Sequence, residues 1–86
     1  MSELIVECYA GDSEICEKFA RLYPEKSEIE RGKSADGLEL IKVVIENLPE
    51  LITATVLLIE VLKARKSRFR VFQDGREVDP DSIEPK

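Results

Sequence analysis

The sequence predicts a small α+β domain on three observations: β-branched and aromatic runs near both ends of the chain, apolar residues at helical spacing between them, and an Asp-Gly pair separating two strand-like segments. The expected architecture is a single-layer, mainly antiparallel sheet of about three to four short strands. Two to three helices pack on it, and it closes in a C-terminal β-hairpin. A chain of 86 residues buries only about two-thirds of its unfolded surface, so its core is thin. Residues 1–78 are expected as one domain and residues 79–86 as a flexible tail, acidic and carrying two prolines.

Each element has its local reason. Leu4-Ile5-Val6-Glu7-Cys8-Tyr9 is β-rich, is bounded by Gly11, and reads as a strand with at least one buried face. Asp12 or Ser13 then supplies an N-cap. Glu14 and Glu17 sit near the positive end of the helix dipole, and Ile15, Phe19 and Leu22 recur at helical spacing, giving a helix over 13–22. Pro24 stops it. Residues 27–31 form a polar strand with Ile29 as its single apolar residue, which suits a sheet edge. Residues 32–37 are a loop by composition. Leu38, Ile41, Val44, Ile45 and Leu48 fit a second helix.

Pro49 kinks that helix or restarts it with proline in the first turn, and a further helix is expected from Glu50 to about Lys66. Residues 68–73 are strand-like, and Asp74-Gly75 before Arg76-Glu77-Val78 signals a two-residue hairpin.

Composition narrows the chemistry. The chain has no histidine, which removes Ser-His and Cys-His nucleophile pairs and every histidine-containing zinc site. Two cysteines cannot complete a tetrahedral thiolate site by themselves. With no signal-peptide pattern, they point to a reducing cytoplasm. Core packing is the expectation for Cys8 and Cys16, with a regulatory disulfide as the alternative. The 32–37 loop lacks the residue order of a phosphate loop. Glu7, Glu28, Glu30, Glu39, Glu46 and Glu50 fall in patterns that face solvent, and nothing forces two of them into a cleft. No enzymatic activity, metal or cofactor is expected.

Two features invite a binding role. On a helical wheel the long helix has one polar stripe, Thr53 and Glu60, while apolar side chains fill most of the remaining circumference. Such a helix is covered by the preceding helix, by another chain, or by lipid. The stretch is too short to span a membrane and holds Glu60. Val56, Ile59 and Leu62 are the candidates for a partner-binding face.

The second feature is charge distribution. The net charge is −5, yet residues 51–73 carry five bases against one acid. Lys63, Arg65, Lys66, Arg68 and Arg70 form a basic collar. Its first three members suit the negative end of the helix dipole, and all five could grip phosphates or an acidic surface. The overall negative charge disfavours nucleic acid.

The order of elements, with Lys63, Arg65 and Lys66 at the end of the last helix and a closing hairpin turning on Asp74 and Gly75, resembles the small effector-associated constant component domains of bacterial conflict systems. The chain departs from that pattern in having no tryptophan near the end of the last helix. The resemblance implies an adaptor that recruits effectors through association with like domains. It carries over no catalytic residue. The expected function is therefore a non-enzymatic protein–protein adaptor that self-associates through its apolar helix. The alternatives are a nucleic-acid accessory protein using the collar, or a small inhibitory, antitoxin-like protein.

Overall fold

A computed structural model describes residues 3–46 and 48–83. In chain order it contains β1 (Leu4–Tyr9), α1 (Ser13–Leu22), β2 (Ser27–Lys33), β3 (Glu39–Ile45), α2 (Leu48–Ala64), β4 (Phe69–Gln73) and β5 (Arg76–Val78). The five strands form one antiparallel sheet in the order β2-β3-β1-β4-β5. β1 and β2 run parallel with β3 between them, and β3 and β4 run parallel with β1 between them. Two split β-α-β units thus interleave, which is the ferredoxin-like arrangement with one strand added at its edge.

Register assigns the faces. Ile29, Val43, Val6, Val71 and Val78 oppose one another in a row across all five strands. This β-branched row lies on the core side, where both helices pack. The neighbouring row on the other face is Glu30, Lys42, Glu7 and Arg70, alternating in charge from strand to strand. A shift of one residue would exchange the two rows, so burial pins the register.

The expected helix over residues 38–48 is overturned, because residues 39–45 are strand β3. The strand is buried on both faces: Ile41, Val43 and Ile45 lie in the core cluster, while Leu40 and Val44 are buried on the opposite face. Two-sided burial fills in the alternation that marks a half-buried strand, and the remaining apolar spacing imitates a helix. The run Val43-Val44-Ile45 was the β-branched cue. Hence the sheet has five strands instead of three to four, with two α-helices on one face. Among the described residues no second helix covers the far side of the long helix. Pro49 lies in the first turn of α2, where its missing amide breaks no helical bond.

The remaining elements follow their local chemistry. Asp74 and Gly75 have φ of 51° and 87°, as a type I′ hairpin turn requires. Asp74 also extends the β1–β4 ladder: its amide donates to the Glu3 carbonyl at 3.0 Å, and its Oδ1 accepts from the Glu3 amide at 3.0 Å. α2 ends in a Schellman motif, with the Ser67 amide donating to Leu62 O and the Lys66 amide to Lys63 O. Lys66 takes the left-handed position, φ 57°, that glycine usually fills.

From Asp79, where the sequence suggested a flexible tail, Pro80–Ser82 form a 3-10 turn whose Asp79 side chain accepts from the Asp81 amide. Ile83, 7% exposed, joins the core. The rest of the expected tail, residues 84–86, lies outside the described residues.

Candidate functional site

α2 has three kinds of surface. Leu51, Thr55, Leu58, Ile59 and Leu62 are buried, and the Thr55 hydroxyl has no hydrogen-bond partner. Val56 and Ile59 border a shallow recess with Pro80 and Ile83, so the C-terminal turn lies against that flank of the helix. Of the expected partner-binding face, Leu62 is 0% exposed, Ile59 3% exposed and Val56 half-buried. That strip belongs to the chain's own interior, a correction with a simple cause. A helical wheel ranks positions by angle but does not say which angle meets the sheet.

Three of the four large apolar side chains left in water among the described residues lie elsewhere, the fourth being Leu38 in the β2–β3 turn. Leu57 is 56% exposed, Val61 45%, and Leu22 on α1 66%. They rim an open groove of about 360 Å³ between the two helices, floored by Ile15, Phe19, Ala54 and Leu58. The 15, 19, 22 spacing turns one side of α1 toward this groove, and Tyr23 packs on Phe19 with ring centroids 5.1 Å apart. Clustered exposed apolar side chains of this kind mark contact surfaces, whereas scattered ones do not. Lys18 lines the α1 side of the groove. At 100° per residue, Glu60 falls on the opposite flank of Leu57 from Ala54 and Leu58. Neither Lys18 nor Glu60 has an ion-pair partner among the described residues.

The basic collar is spread over several contacts. Lys63 pairs with Asp81. Arg65 Nε lies 3.3 Å from Asp12 Oδ1, which also accepts from Ser67 Oγ at 2.8 Å. Asp12 therefore ties the start of α1 to the end of α2 while making no side-chain cap bond of its own. Arg68 stacks over the Tyr9 ring at 4.9 Å. Arg70 reaches Glu77 at 3.0 Å and Glu7 at 3.7 Å, and lies over Phe72. The hydrogen bond and charge of Glu77 raise the Arg70 pKa above its ordinary value, against an opposing desolvation and with lesser contributions from Glu7 and Tyr9. Lys66 stays exposed at the helix end. Four of the five collar cations are thus engaged within the chain.

On the open sheet face, the Glu7 side chain is flanked by Lys42 at 4.0 Å and Arg70 at 3.7 Å. Arg31 pairs with Glu17 on α1. Cys8 and Cys16 are both fully buried, and their sulfur atoms are brought together across the β1–α1 interface. Their Cα atoms stand 7.9 Å apart.

In the segment expected as a loop over residues 32–37, Gly32 and Lys33 belong to β2, and the turn is closed by the Gly37 amide donating to Ser34 O. Among the described residues no group of three or more His, Cys, Asp or Glu is placed to hold a metal, and no helix is long and apolar enough to cross a membrane.

Compared with protein-family models, curated proteins and solved structures, the chain matches none.

Proposed function

We propose that this protein is a non-enzymatic recruitment domain that self-associates through the groove between α1 and α2. The carrying observation is the trio of exposed apolar side chains, Leu22, Leu57 and Val61, rimming one groove on the helical layer. Fully burying a side chain of this class contributes roughly 1.5–3 kcal/mol, so covering three on each copy offsets part of the entropy cost of association.

Charge favours a second copy as the occupant. α1 and α2 run antiparallel, which sets Lys18 level with the Leu57–Val61 segment. A twofold axis along α2, passing over Leu57 and Val61, brings the Lys18 flank of one copy to the Glu60 flank of the other, and does so twice. Neither residue has an ion-pair partner among the described residues, whereas most collar cations are already engaged. The collar therefore has less charge to offer nucleic acid, and selection by charge passes from the collar to Lys18 and Glu60.

A charge exchange tests this arrangement. Lys18→Glu alone and Glu60→Lys alone each weaken the dimer several-fold in light scattering over a concentration series, and the double exchange restores it. Equal masses for all four proteins at every concentration would contradict the reading.

A further inference from the structure

We infer that the outer edge of β2 is a strand-addition site for an extended polypeptide segment carrying lysine or arginine at two alternate positions, and that the same edge is closed to a second copy of this chain. This stands apart from the helical groove and does not depend on it.

Backbone geometry comes first. The Glu46 amide donates to Lys26 O at 2.9 Å, which makes residues 26 and 46 a hydrogen-bonded pair of the β2–β3 ladder. In an antiparallel ladder bonded and non-bonded pairs alternate, so Glu28, Glu30 and Gly32 also turn their backbone groups toward β3. The amides and carbonyls of Ile29, Arg31 and Lys33 then point off the sheet. β2 spans seven residues and lies at the end of the strand order, whereas β5 at the other edge has three. The β2 edge is the longer template for another strand.

Side chains decide which strand it accepts. A second copy joined edge to edge by a twofold axis keeps like faces together, so even-numbered residues oppose even and odd oppose odd. Centred on Glu28 or on Glu30, that glutamate meets itself. Centred on Ile29, Glu28 meets Glu30 twice. Centred on Arg31, the arginine meets itself, and centred on Gly32, Arg31 meets Lys33 twice. Every twofold register centred on residues 28–33 opposes like charges, which is destabilising across strands; one centred on Ser27 overlaps β2 with itself only at that residue.

A different strand escapes this. Glu28 and Glu30 are exposed on the open face and have no ion-pair partner among the described residues. Arg31 on the other face is already paired with Glu17. In an added antiparallel strand, the residues opposite Glu28 and Glu30 sit at the closer, non-bonded pair positions. Two basic side chains there meet two free carboxylates while the backbone bonds form at Ile29, Arg31 and Lys33.

Amide hydrogen exchange by NMR tests this with a capped seven-residue peptide of alternating lysine and threonine, and with its glutamate-for-lysine counterpart. The lysine peptide should slow exchange at Ile29, Arg31 and Lys33. The glutamate peptide, or the Glu28→Lys, Glu30→Lys double variant, should bind at least about tenfold more weakly. Unchanged exchange at those three amides, or equal responses to the two peptides, would overturn the inference. The peptide comparison needs no variant, so it remains decisive if the double variant folds poorly.

Discussion

Ile59 and Leu57 lie two residues apart on α2, are close in chemistry, and meet opposite surroundings. Ile59 is sealed in the core, near the turn that carries Ile83, while Leu57 stands 56% exposed over the groove shared with α1. The sheet covers one side of the helix and the C-terminal turn covers a second. Nothing in the described chain covers the third, although its side chains are as apolar as the others. An apolar helix therefore reports that it needs cover, and only tertiary placement says where the cover is missing.

Substitutions on the covered sides break this comparison most strongly. Ile59→Glu puts an unpaired carboxylate in the core and is expected to destabilise the chain by more than about 4 kcal/mol, with loss of the helical circular-dichroism signal at 25 °C. Retention of that signal would place the uncovered side of α2 wrongly. Ile83→Ala removes the plug from the second side and should cost about 2 kcal/mol, the low end for a buried isoleucine, measured by urea unfolding. No change in the midpoint would mean that the turn rests on the helix without contributing to its cover. Thr55→Val sharpens the inner side: replacing a fully buried hydroxyl that lacks a partner by a methyl group should raise stability by about 1 kcal/mol in the same assay.

Much of this fold was legible in the residues. β1, α1 and the β4–β5 hairpin announce themselves, because Leu4–Tyr9 is β-branched and bounded, Ile15, Phe19 and Leu22 keep one spacing, and Asp74-Gly75 suits positive φ. β3 was not legible: with Leu40 and Val44 buried on one face and Ile41, Val43 and Ile45 on the other, its period of two disappears and a helical spacing remains.

The misplaced β3 carried the misplaced site with it. A helix over 38–48 would have covered α2 on one side and left Val56, Ile59 and Leu62 outward, whereas a strand there sends those residues inward and leaves Leu57 and Val61 outside. The collar was legible as composition. Its neutralisation was not, since Asp12, Asp81, Glu7 and Glu77 reach it only through the fold.

Self-association through the α1–α2 groove is tested most directly by the solution mass of the native chain and of Leu57→Glu, measured by light scattering over one concentration series in reducing buffer. The native chain is expected to rise from monomer to dimer mass with concentration, and Leu57→Glu to stay monomeric with an unchanged circular-dichroism spectrum. A native chain that is monomeric throughout, or a Leu57→Glu variant that dimerises as well as the native chain, would contradict the account.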